Sequence, residues 1–394
     1  MATNDDFRVR SAAPAVTKEG LSRRTFVGAM AAGTLALAGL TACSGGSGSG
    51  GSSSSASSSA ASTAQKETWS FTDQADNQVE VSIPVDRMVV LQHHSLDMLC
   101  QLGAQDKVVG IESKWKSDLG DYMTTVFPGI ESLPTPGSLS EWNVEQIADL
   151  KPDVVIAASQ ANEDAMKQVR ELGIPVVVVS LRGEGKQAEA QNPRLADADA
   201  AYTEGCEWAI ETLGKLVGED EKAAAIWKTC EENRKIVDSA IGSMDDSARV
   251  RAFVACPDNK TYGNDKYVGC QLLRAGAVNV AAADLQGYKE YSMEMLAKWD
   301  PDVIIVQDRY KEVYETVTTD ASYAELSAVK NKKVILAPYW TKPWGNPDTD
   351  SIALGELWLA HTFYPQKVDA ATVKEHAEEF YEDFYGIDFT GTVE

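Results

Sequence analysis

Histidine is scarce in this sequence, with four residues in 394. His93 and His94 stand together, while His361 and His376 lie far downstream in segments of helical pattern. A metal site assembled across two domains needs several imidazoles and carboxylates converging from both sides. The second half of the chain offers no histidine in a loop that follows a strand, so capture of free Mn or Zn by such a site is not expected. The six cysteines contain no CxxC pair, and thiol-redox or structural zinc chemistry would need closer spacing. Beyond Cys43, residues Cys100, Cys206, Cys230, Cys256 and Cys270 read as small buried thiols, and their pattern does not require a disulfide. The signatures GxGxxG, GxxxxGK[ST], HExxH and GxSxG are all missing, which argues against an enzyme such as a two-lobed transferase. Positive charge is also short: 36 Lys and Arg face 59 Asp and Glu, a net charge of −23. That balance argues against nucleic acid and against direct adhesion to anionic lipid.

The one long apolar run, Val27–Ala42, is Gly/Ala-rich and at the short end for a membrane span. It follows Arg23-Arg24-Thr25-Phe26, which resembles a twin-arginine export signal, and ends in Leu40-Thr41-Ala42-Cys43, which resembles a bacterial lipobox. Residues 1–42 are then a signal peptide, Cys43 is lipidated, and the bulk of the chain is held outside the cytoplasmic membrane by its anchor in the bilayer. Residues 43–64 are almost entirely Ser, Gly and Ala. They cannot bury a core and form a tether with a reach on the order of 25 Å.

Positively, the chain contains a long internal repeat. VEQIADLKPDVVIAAS, Val144–Ser159, returns as MEMLAKWDPDVIIVQD, Met293–Asp308. Each copy has a polar cap, Asn143 or Ser292, a short helix, a Pro-Asp turn and a β-branched run. Uniformly apolar strands of this kind belong to parallel sheets covered on both faces. The fold class is therefore α/β, with two similar lobes at 65–195 and 247–394 joined by a helical bridge at 196–246. Ligands in such sheets gather at the carboxyl ends of strands. The loops there carry aromatics (Trp115, Trp142, Tyr262, Tyr267, Tyr310, Tyr339, Trp340, Trp344) and cations (Lys114, Lys116, Arg182, Arg309, Lys342). Aromatic surface in loops marks a binding site, and guanidinium groups pair with ligand oxygens. Arg182, Arg309 and Trp340 directly follow strands and are expected to touch ligand, as are His93 and His94 in the first such loop.

The order of LDMLCQLGAQDKVVGI, EWNVEQIADLKPDVVIA, a bridging helix, LLRAGAVNVA and DPDVIIV resembles the ABC-transporter solute-binding proteins that carry ferric siderophores, haem and cobalamin. The resemblance covers Val81–Lys367. It implies two α/β lobes joined by one long helix, a ligand cleft between them, and delivery of cargo to a membrane permease and its ATPase. It also implies that Glu145 and Glu294, matched in the two copies, dock onto the two permease subunits. An acid in the first turn of a helix also complements the helix dipole, and the two roles are compatible. The cargo implied is an iron complex, a ferric siderophore or haem, with a corrinoid as the alternative. His93 or His94 would be the candidate haem-iron ligand. No cofactor of its own and a monomeric state are expected.

Overall fold

The computed structural model describes residues 66–184, 192 and 194–393. The twin arginines Arg23 and Arg24, Cys43 and the tether lie outside the described residues. Among the described residues no helix is long and apolar enough to cross a membrane.

The chain starts with an antiparallel hairpin, β1 (Glu67–Thr72) and β2 (Gln78–Ile83). The first sheet is built from β3 (Met88–Leu91), β4 (Val108–Ile111), β5 (Val154–Ala158) and β6 (Val176–Val179), all parallel, in the order 4-3-5-6. Helices α1 (His93–Gln101), α2 (Trp115–Leu119), α3 (Met123–Val126), α4 (Val144–Asp149) and α5 (Glu163–Glu171) connect these strands. The segment between the two sheets holds two helices, α6 (Ala198–Val217) and α7 (Asp220–Ile241). Gly218 ends α6 at φ 82°, a left-handed value suited to glycine, and its amide closes on the Gly214 carbonyl. The second sheet takes β7 (Val250–Ala255), β9 (Ala277–Asn279), β11 (Val303–Val306) and β12 (Val334–Leu336) in the order 12-11-7-9, with a small β8–β10 ribbon (Lys260–Tyr262, Tyr288–Glu290) beside it. Its helices are α8 (Tyr267–Arg274), α9 (Met293–Trp299), α10 (Lys311–Thr319) and α11 (Ser327–Lys330). Then α12 (Glu356–Phe363) and α13 (Ala370–Phe380) complete the chain. Matching β3, β4, β5 and β6 to β7, β9, β11 and β12 gives the same strand order in both lobes.

The apolar strands divide by period two. Met88, Val90, Val154, Ile156, Ala252, Val254, Val303 and Ile305 face one continuous core that includes the buried faces of α6, α7, α8 and α12. Val89, Leu91, Val155 and Ala157 face a second cluster on the outside of the first lobe; Phe253, Ala255, Ile304 and Val306 face a third on the outside of the second. Both faces of each sheet are covered, which is why these strands carry no polar alternation.

The repeat has a structural reason. Asn143 and Ser292 cap α4 and α9 through side-chain oxygens that accept from the Gln146 and Met295 amides, at 3.0 and 3.2 Å. In the Pro-Asp turn, the Asp153 carboxylate accepts from the Asp86 and Arg87 amides at 2.8 and 3.1 Å, and Asp302 accepts from the Arg251 amide at 3.1 Å. The arginines answer in kind: Arg87 donates to the Leu150 carbonyl at the end of α4 (2.6 Å), and Arg251 to the Trp299 carbonyl at the end of α9 (2.5 Å). Each copy thus fastens the end of its helix and the start of two adjacent parallel strands with one Arg and one Asp. Replacing either Asp153 or Asp302 by Ala should lower unfolding free energy by about 1–2 kcal/mol, the value of a charge-assisted hydrogen bond to backbone. Urea denaturation with unchanged midpoints in both variants would refute this role.

Candidate functional site

The site forms where the carboxyl ends of the two sheets meet. At the first strand end, Gln92 caps α1 by accepting from the Ser95 amide (2.6 Å), and this sets His93 and His94 in the first turn. Their rings lie 4.3 Å apart; the Trp344 ring from the second lobe meets them edge-on at 6.1 and 5.4 Å. Arg309, just beyond β11, lies over Trp344 at 4.5 Å and is held by Gln307 (2.8 Å). It also donates to the Asp118 carbonyl across the cleft, at 2.8 Å.

Arg182 follows β6 and is almost fully buried. The hairpin turn between β1 and β2 places its loop: the Gln74 side-chain oxygen accepts from the Ser180 and Leu181 amides at 2.8 and 2.9 Å, while its nitrogen donates to the Gly205 carbonyl at 2.9 Å. Gly205 is required there, because a Cβ would overlap the Arg182 backbone. Lys266, just before α8, is 3 % exposed and runs beside Gly345, which Tyr262 also touches. Burial, with the nearby Arg182 charge, pushes the Lys266 ammonium down to about 7, and Asp265 opposes that shift.

Burial also pushes His94 well below the usual histidine range, and the charges of His93, Arg309, Lys342 and Lys266 add to the effect. His94 is therefore a neutral imidazole at pH 7, with Nδ1 3.6 Å from Asp348. Tyr262 stacks on Tyr288 at 4.7 Å, and its hydroxyl is held protonated chiefly by burial. Arg309 and Lys266 from the second lobe thus stand near His94, with Arg182 from the first lobe near Lys266, on the walls of the recess between the sheet ends. Cations grouped in this way favour a compact anion, whose charge replaces lost hydration with charge-assisted hydrogen bonds.

Behind this recess sits a fully buried ion cluster. The Lys342 ammonium contacts the carboxylates of Asp97, Asp350 (2.5 Å) and Asp348 (3.7 Å). Tyr385 donates to Asp97 and Tyr122 does the same at 3.0 Å. Three carboxylates face one ammonium, so the cluster retains protons. Burial and the neighbouring carboxylates push Asp348 well up and Asp350 up to about 7, against the pull of Lys342.

Of the residues expected at the cleft, His93, His94, Arg182, Tyr262, Arg309 and Trp344 come together. Trp115, Tyr267 and Trp340 are taken up by packing. Trp115 lies in the first lobe's share of the main core. The Tyr267 hydroxyl donates to Glu356 (3.2 Å) and its ring meets Tyr202. Trp340 is fully buried between Trp358 and Phe389, because the C-terminal segment folds back over the loop that carries it. Trp142 is half-buried against the outer cluster of the first lobe. Tyr310 underlies Arg309, and Tyr339 stacks on Tyr122 at 5.0 Å. The sequence reading missed Lys266, although the basic residue before a helix in a strand-end loop was a usable signal. Glu145 and Glu294 are exposed in the first turns of α4 and α9. The five described cysteines are free and buried.

Two similar lobes around a charged recess are the plan of a solute-binding protein that captures its ligand between domains. The chain belongs to the periplasmic binding protein family, whose model matches residues 88–339. It is 39 % identical over 315 residues to the molybdate-binding protein MolA of Haemophilus influenzae, covering 80 % of this chain and 90 % of that one. The solved structure of MolA with bound molybdate superposes with a TM-score of 0.78 at 38 % identity, over 82 % of this chain and 99 % of that chain. A cobalamin-binding protein of Halobacterium salinarum is 26 % identical over 264 residues, 66 % of this chain and 63 % of its own. The protein is thus a substrate-binding component of the ABC-transporter type acting outside the cytoplasm, and not an enzyme.

The raised Asp350 fixes the sign of a pH effect. A carboxyl with a folded value near 7 and an unfolded value near 4 adds stability that is complete below pH 4 and is lost as pH rises through 7. Asp348 acts in the same direction, and the facing groups are Lys342, Asp97 and Tyr385. Between pH 5 and 8, wild-type protein should lose more stability than Asp350→Asn, by up to about 1.4 kcal/mol per pH unit for one proton. Parallel melting profiles for the two proteins would contradict the assignment.

Proposed function

We propose that the protein is the extracytoplasmic binding component of an importer for a tetrahedral oxyanion of the molybdate class. The observation that carries this reading is the approach of Arg309 and Lys266 to the neutral His94, with Arg182 beside Lys266 and the Trp344 ring against both Arg309 and the imidazole. These donors suit a small dianion. The likeness to MolA supports the same chemistry. An iron chelate or corrinoid would draw on the aromatic loops, but Trp115, Tyr267 and Trp340 spend their rings on packing, so the site favours the anion.

Titration calorimetry with molybdate should give one site, and Arg309→Ala and Arg182→Ala should each weaken it roughly tenfold or more, the value of a charged hydrogen bond of about 1.5–3 kcal/mol. Lys266 adds a pH signature. An anion stabilises its ammonium, so affinity should be flat below pH 7 and fall as pH rises above 7, by at most tenfold per unit. Lys266→Met should flatten that profile. An arginine-independent affinity, or a preference for a ferric siderophore, haem or cobalamin over molybdate, would sink the reading.

The reading extends to delivery. Glu145 and Glu294 serve as the two docking points for the permease, and Cys43, exported through the Arg23-Arg24 signal, carries the lipid anchor. In cells, a Glu145→Arg/Glu294→Arg double variant should bind molybdate normally yet import near background, since rim charges act on encounter and register. Cys43→Ala should abolish lipid labelling. Full import by the double variant, or labelling that persists without Cys43, would reject the respective role.

A further inference from the structure

Among the described residues two carboxylate groupings lie near the cleft, and one of them has a resident cation. Asp97, Asp348 and Asp350 enclose the Lys342 ammonium. The other grouping is His93, Glu112 and Asp118, whose potential ligand atoms all lie within 4.8 Å of one another. Glu112 directly follows β4 in a position with no exposure to solvent, and neither of its carboxylate oxygens has a hydrogen-bond partner. The His93 Nδ1 is likewise unpartnered, 3.4 Å from the Glu112 Oε1 and 3.9 Å from the Asp118 Oδ2. Among the described residues no lysine or arginine forms an ion pair with Glu112 or Asp118. A buried carboxylate without hydrogen bonds calls for a positive partner, because desolvation of the bare charge is costly.

We propose that His93, Glu112 and Asp118 form a binding site for a divalent first-row transition-metal ion on the first-lobe wall of the cleft. The donor set is one imidazole nitrogen and two carboxylates, the mixed kind that Zn2+ accepts in sites with an open position. A tetrahedral ion with arms near 2.0–2.1 Å needs its ligand atoms roughly 3.3 Å apart, so the His93–Glu112 separation of 3.4 Å already matches, and Asp118 has to close in from 3.9 Å on His93 and from within 4.8 Å on Glu112. Three segments hold the ligands: the first turn of α1, the position directly after β4, and α2. All belong to the first lobe. The site therefore differs from the two-lobed metal trap that the scarcity of histidine argues against. It faces the recess that the cations line, so a bound ion adds positive charge beside the anion, and the two ligands should bind with positive coupling.

The test uses the full chain after chelator treatment, with Zn2+ alone as the first probe. Calorimetry should show one ion per chain, a rise in melting temperature with added Zn2+, and a loss of affinity of tenfold or more in Glu112→Gln and in Asp118→Asn. With Co2+ as a second probe, visible absorption bands should appear in the wild type and not in Glu112→Gln, a readout that does not depend on fold stability. Absence of Zn2+ binding by the wild type, or binding unchanged in both variants, overturns the site. Molybdate titrated with excess chelator separates this proposal from the importer reading: Glu112→Gln should keep its anion affinity there. Zn2+ binding without any molybdate binding would reject the importer reading and leave the metal site standing.

Discussion

One buried ammonium governs how this molecule holds together. Lys342 lies in a loop of the second lobe, yet its partners come from the first helix of the first lobe, from its own loop and, through the Tyr385 hydroxyl, from the C-terminal segment. Removing one member would strand the others in a medium that cannot solvate them, which is far costlier than loss of a surface pair. Tyr122, Gln101 and Thr349 complete the shell. The lobes are therefore joined by three ties: the α6–α7 bridge, the shared apolar core and this cluster. Wide hinge opening would have to disrupt the shared core and the cluster, and at the rim Arg309 also spans to the Asp118 carbonyl.

The same cluster shapes the recess in front of it. Asp348 faces His94, and the Lys342 charge helps to keep that imidazole neutral. The protein as a whole is strongly acidic, so a cationic recess is a local reversal of its field. Burial of Arg182 keeps its charge from being screened by solvent, whereas the same burial holds the Lys266 ammonium down to about 7. The net charge says nothing about such a pocket, and the two scales have to be read separately.

The sheets were legible in the sequence because burial on both faces leaves a plain mark, an unbroken β-branched run after a Pro-Asp turn. The repeat named both lobes and their equivalent strands. The candidate site was legible in part: Arg182 and Arg309 directly follow strands and lie near His94 or Lys266, whereas Trp340 follows a strand as directly and packs into the core. What separates them is the C-terminal segment, whose Phe389 covers Trp340, and no local pattern announces a cover supplied from far along the chain. Asp97 was invisible for a related reason. It sits in an ordinary helical pattern and acquires meaning only from Lys342, 245 residues away.

The paired fastenings at Arg87–Asp153 and Arg251–Asp302 lie at the amino ends of their strands, opposite the recess. Each lobe thereby secures its own register at the end away from the carboxyl-end loops. Register within each sheet does not hang on the chemistry of those loops, even though one of them, the Lys342 loop, ties the two lobes together.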